Sequence, residues 1–142
     1  MYVNKRVNAM RFVSMILCCA MAVLPLCTKG ENKPEGSHIK MESTTCDFGA
    51  IIRQEEGDEK VLTFRFVNDG TEPLVLFAAT TSCTCLKPEI SRKPVAVGEE
   101  GEIKIILDVK KMEKGVFHRV VQIRSNAAGA PVILTIQGFA KD

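Results

Sequence analysis

From Ile39 to the C-terminus, apolar residues recur at every second position, the spacing of strands and not of helices. Leu62, Phe64 and Phe66 alternate with Val61, Thr63, Arg65 and Val67. Ile103, Ile105 and Leu107 alternate with Lys104, Ile106 and Asp108. Phe117, Val121 and Ile123 share one face while His118, Gln122 and Arg124 take the other, and Val132, Leu134 and Ile136 alternate with Ile133, Thr135 and Gln137. These runs hold the β-branched and aromatic residues that fit a half-buried pleated surface. Turn chemistry separates them: Asn68-Asp69-Gly70, Glu72-Pro73, Pro94 with Gly98 and Gly101, Gly115, and the stretch from Asn126 to Pro131.

Six or seven short strands joined in this way predict an all-β, immunoglobulin-like antiparallel sandwich of about seven strands and about 100 residues over 39–142. The residues expected between its sheets are Leu62, Phe64, Phe66, Leu74, Leu76, Ile103, Ile105, Leu107, Phe117, Val121, Ile123, Leu134 and Ile136. Burying such a side chain contributes about 1.5–3 kcal/mol. No window carries a capped amphipathic helix, and Val109 to Lys114 is too short and too charged to form one.

The first 27 residues read differently. Lys5, Arg6 and Arg11 precede an uncharged run of 15 residues, Phe12 to Leu26. That run is shorter than the roughly 18–20 residues of a membrane span, and the whole is expected to be an export signal over 1–27. Ala20-Met21-Ala22 offers a small-x-small cleavage site. Leu24-Pro25-Leu26-Cys27 resembles a lipoprotein signal, with Cys27 as the residue that would carry the lipid, although Leu26 stands where a small residue is usual. Residues 28–38 have the composition of a polar linker. The expected location is therefore the periplasm or a membrane-anchored cell envelope, with membrane contact only through the signal or a lipid anchor.

Charge narrows the classes of partner. The chain's net charge of +2 depends on the N-terminal segment; without it 16 basic residues face 17 acidic ones, a balance of −1. A near-neutral domain with interspersed signs lacks the basic stripe of a nucleic-acid binder. The composition, 46% hydrophobic and 25% charged, is that of a folded domain.

Several motifs occur in one order: Asp47-Phe48-Gly49, Phe64-x-Phe66-x-Asn68-x-Gly70, Glu72-Pro73-Leu74, Thr81-Ser82-Cys83-Thr84-Cys85 and Pro94-Val95-Ala96-Val97-Gly98-Glu99. Gly115-x-Phe117, Ser125-Asn126 and Pro131-Val132-x-Leu134-x-Ile136-x-Gly138 follow. From about Cys46 to Ala140 this resembles a bacterial family of exported, often lipid-anchored domains of unknown function. The family is distantly similar to ASPM/Hydin (ASH) and major-sperm-protein-type immunoglobulin-like domains. Its usual Thr-Ser-Cys-Gly-Cys-Thr is Thr-Ser-Cys-Thr-Cys-Leu here, so Thr84 replaces the central glycine. The resemblance implies the fold and assigns no activity.

Cysteines are the candidate chemistry. Cys18 and Cys19 would leave with the signal, so Cys46, Cys83 and Cys85 remain, with Cys27 if it is lipidated. An oxidising compartment makes disulfides the first expectation, and three thiols leave at least one unpaired. If extended, Cys83 and Cys85 would have Cα atoms about 6.5 Å apart, near the limit for a bridge. Cys46 could pair with either if the first strand ran beside them. Alternatively, Cys83 and Cys85, with Cys46 as auxiliary, could bind Cu(I) through thiolates or serve a thiol-redox role. Zinc fits less well, because a closed site normally takes four ligands. No helix N-terminus is expected near Cys83, so redox catalysis is not.

Other signals weigh towards structure. Asp47-Phe48-Gly49 matches a kinase tripeptide in a chain lacking the rest of that machinery, so Phe48 is read as core and Gly49 as a turn or bulge. His38 and His118 are expected at the surface, and Glu55-Glu56 with Asp58-Glu59 in a solvated loop. There is no Trp, and Phe48, Phe64, Phe66, Phe77, Phe117 and Phe139 fall in strand-like runs, which argues against a sugar-stacking platform. The expected function is that of a non-catalytic exported envelope domain acting by protein contact, with no enzyme activity and no cofactor.

Overall fold

The structure, a computed structural model, describes residues 32–53, 57–129 and 131–142. The expected export signal with Cys27, the start of the linker and the pair Glu55-Glu56 lie outside the described residues. Alternation produces eight strands: β1 (Ile39–Met41), β2 (Thr45–Ile52), β3 (Glu59–Asn68), β4 (Leu76–Thr81), β5 (Leu86–Ile90), β6 (Glu100–Asp108), β7 (Gly115–Ser125) and β8 (Val132–Lys141). They form two sheets of four, in the orders β1-β3-β6-β5 and β2-β8-β7-β4.

The thirteen residues expected between the sheets are buried, and Ile51, Cys85, Leu86, Val109, Met112 and Ala140 join them, whereas Phe48, read as core, is only partly buried against this cluster. Phe66 is 2% exposed. Its cross-strand partner is Gly101. A Cβ at position 101 would come within 2.2 Å of the Phe66 ring, so the glycine makes room for the aromatic side chain. Gly138 does the same for Phe117, its partner on β7.

The first edge strand is split between the sheets. β1 pairs antiparallel with Asn68, Val67 and Phe66 of β3. The chain then crosses through Ser43-Thr44, and β2 pairs with β8. That pairing is parallel, so this sheet of the otherwise antiparallel sandwich is mixed: the second and last strands meet here with most of the domain as their connection. The split also explains eight strands where about seven were expected.

Three further details depart from expectation. Val109–Lys111 forms one turn of 3-10 helix where no helix was expected; Val109 and Met112 are buried beneath it and Lys111 pairs with Asp108 at 2.9 Å. Gly36 to His38 pack on the domain and are not linker: Gly36 O accepts from the Thr71 and Glu72 N–H groups, and Ser37 is 5% exposed. Phe77 and Phe139 point outward, 52% and 45% exposed. Phe139 lies opposite Val116 on β7, and Phe77 falls at the β4 bulge beside Arg124. These two positions are separated by about 27 Å of strand, so the rings form no common platform.

Phe66→Ala removes the least exposed phenylalanine ring of the core. It is expected to lower the unfolding free energy by roughly 3–5 kcal/mol in a denaturant titration.

Candidate functional site

Cys83, Thr84 and Cys85 form the turn through which the chain leaves β4 in one sheet and enters β5 in the other. The segment is not extended. Its Cα(83)–Cα(85) distance is 5.2 Å, and the two sulfurs are bonded to each other. Hydrogen bonds bend the backbone: Cys83 N–H donates to Thr81 Oγ1 at 3.2 Å, Leu86 N–H to Cys83 O at 3.2 Å, and Asp108 N–H to Cys85 O at 2.8 Å. Cys85 N–H donates to Cys83 Sγ at 3.3 Å. Cys85 is 2% exposed, whereas Cys83 is half-buried at the rim of the core.

Cys46 is a free thiol on β2. β2 and β4 are the opposite edges of their sheet, with β8 and β7 between them, so the adjacency that would let Cys46 reach Cys83 is not present. Nor does the structure bring together the three thiolates of the Cu(I) reading. Among the described residues, no cluster of three or more His, Cys, Asp or Glu side chains could hold a metal ion. Burial raises the Cys46 pKa, and the neighbouring Asp47 carboxylate raises it further, so the group is a thiol at neutral pH. Asp47 is itself held ionised below the usual carboxylate range by hydrogen bonds from Gln137 Nε2 at 3.0 Å and Gly49 N–H at 2.8 Å. Gly49, at φ +61°, forms the expected bulge, between Asp47 and Ala50.

Cys46 lies in an open groove of about 420 Å³ between the two sheets, lined also by Glu42, Ser43, Thr45, Leu62, Phe64 and Arg65. The split edge creates it. Glu42 N–H donates to Arg65 O at 3.0 Å, and the chain then crosses away from β3. Among the described residues no strand continues β1 beside Val61 and Thr63. Because antiparallel strands alternate, the N–H and C=O groups of Thr63 and Val61 point to the same side as those of Arg65. The far end of this side is bridged by Lys60, whose Nζ stands 5.6 Å from the centre of the Phe48 ring.

Residues 39–140 match a protein family described as Protein of unknown function (DUF1573). The chain belongs to that family. No curated protein sequence matches the chain. Among solved structures it is similar to a protein of unknown function from Porphyromonas gingivalis W83, with a TM-score of 0.61 and 17% identity over 77% of this chain and 49% of that one. The chain thus spans about half the length of that protein. It is similar to the ASH/PapD-like domain 7 of human CEP192, with a TM-score of 0.59 and 10% identity over 86% of this chain and 97% of that domain. The periplasmic chaperone SfaE gives a TM-score of 0.52 and 8% identity over 74% and 59%. At these identities the likeness establishes the sandwich fold, including the expected ASH similarity.

Geometry explains several of the family-like motifs. Asn68 is fully buried: its Nδ2 donates to Glu72 O at 2.8 Å and Val95 O at 2.9 Å, and its Oδ1 accepts from Gly70 N–H at 3.2 Å. Asn126 receives the Val75 N–H at 2.7 Å on Oδ1 and donates to Pro73 O at 3.0 Å. The two asparagines thus satisfy backbone groups of loops that lack a strand partner. Both asparagines stand in the ordered motifs, and an Asn directly before Asp-Gly or directly after a strand is the sequence signal for such a role. Of the histidines, His118 lies exposed on β7, while His38 Nδ1 meets Asp69 Oδ1.

Replacing Asn68 by Ala strands the Glu72 carbonyl and the Gly70 N–H, since Val95 O keeps the Leu74 N–H, and is expected to cost about 2–4 kcal/mol in equilibrium unfolding. Only the thiolate alkylates, so the Cys46 alkylation rate should reach half its maximum above the ordinary thiol value of about 8.5. Asp47→Asn should move that midpoint down, as measured by maleimide kinetics against pH.

Proposed function

We propose that this domain is a non-catalytic protein-interaction module of the cell envelope that accepts an extended segment of a partner along the open side between β2 and β3. The observation carrying this reading is the groove beside the unextended edge of β3. Outward backbone groups at Val61 and Thr63 offer the main-chain pairing of strand addition, and the alternate side chains of an added strand would enter a groove lined by Leu62, Phe64 and Cys46. Native sheets usually blunt such edges with charge, proline or a covering loop. Here the charges stand at the two ends, Arg65 and Lys60, and Val61 and Thr63 between them are uncharged. Location in the envelope is supported by the basic and then apolar start of the sequence, and a lipid on Cys27 would tether the domain there. A fold shared with a periplasmic chaperone is in keeping with that location.

A photo-crosslinking amino acid at Ser43, in the groove, should give a reproducible protein adduct in intact cells. The same group at Glu89, on β5 at the opposite edge of the sheet that contains β3, should not. Prior alkylation of Cys46 with a bulky maleimide should abolish the adduct. Equal adducts from both positions, or none from Ser43, would count against the reading.

A further inference from the structure

The Cys83–Cys85 bridge spans a sequence separation of 2. Closing so short a ring removes little freedom from the unfolded chain, so it adds less stability than a bridge between distant strands. The turn is also held without it, by the donors from Cys83, Leu86 and Asp108 already described. A bridge that adds little to an already bonded corner can open without dismantling the fold.

The two sulfurs differ in surroundings. Cys83 is half-buried at the rim, whereas Cys85 is 2% exposed. An incoming thiolate can therefore approach Cys83 and not Cys85. The Cys85 N–H aimed at Cys83 Sγ, at 3.3 Å, supplies a donor to whatever charge that sulfur carries, and a hydrogen bond of this kind favours a thiolate. No equivalent donor reaches the Cys85 sulfur among the described residues, and its burial favours the neutral thiol.

We propose that Cys83–Cys85 is a reversibly exchanging disulfide that accepts two electrons from an external dithiol, with Cys83 as the sulfur attacked. One thiolate of the dithiol forms a bond to Cys83 Sγ, the Cys83–Cys85 bond breaks, and its electron pair goes to Cys85, which takes up a proton. The second thiolate of the dithiol then attacks its own sulfur in the mixed disulfide, and Cys83 leaves as a thiolate held by the Cys85 N–H. The reductant ends as a disulfide, and its two protons and two electrons reside on the corner once Cys83 is protonated. The inference is independent of the groove, which lies at the opposite edge of the sheet.

The Cys46→Ser protein, which leaves this pair as the thiols of residues 32–142, is equilibrated with dithiothreitol redox buffers without denaturant and alkylated for mass analysis. One two-electron transition with an unchanged circular dichroism spectrum is expected. The reduced protein is then treated with less than one equivalent of iodoacetamide at neutral pH. Fragment ions are expected to place at least about tenfold more label on Cys83 than on Cys85. A bridge that opens only in denaturant, or label divided evenly or favouring Cys85, would overturn the proposal.

Discussion

Each of the two sheets has one face that is unstable in water, and the only cover available is the corresponding face of the other sheet. That mutual burial governs the rest of the architecture. It forces the chain to cross repeatedly between layers, at Ser43-Thr44, at Cys83-Thr84-Cys85 and around Val109–Lys111. Every crossing interrupts strand pairing, so backbone groups there must find other partners. Asn68 and Asn126 meet that need at the β3–β4 connection, Thr81 and Asp108 at the cysteine corner, and Val109 and Met112 at the 3-10 turn.

The core was legible in the sequence because a strand's side chains alternate whatever its neighbours do. Leu62, Phe64, Phe66 and their counterparts on β6, β7 and β8 needed only that rule. The same rule, carried further along β8, puts Phe139 on the outside, and it turns Phe77 outward next to buried Leu76. What could not be read is long-range. Nothing local in Thr45–Ile52 says that this segment pairs parallel with β8 and not antiparallel with β3. The Cys83–Cys85 distance likewise depends on an acceptor relation with Asp108, more than twenty residues along.

For the candidate sites, residue identity was easier to read than arrangement. Cysteine count and spacing drew attention to Cys46, Cys83 and Cys85, and the structure divides them into a bonded pair at a corner and a solitary thiol in a groove. The groove had no sequence signature, because its lining comes from β2, β3 and the crossing between β1 and β2. It exists because the first edge strand changes allegiance half-way along, leaving one sheet with an unfinished border.

The parallel partnership of β2 and β8 has a consequence for how the molecule assembles. Asp47 and Gln137, bonded across it, are 90 residues apart in the chain. Contacts so distant in sequence are costly to close and form late. β2 therefore cannot join its layer until synthesis reaches the final strand, since β8 is the wedge between β2 and β7. Until then Thr45–Ile52 has no strand to lie against, even where β3 has already found β6 and β4 has found β7.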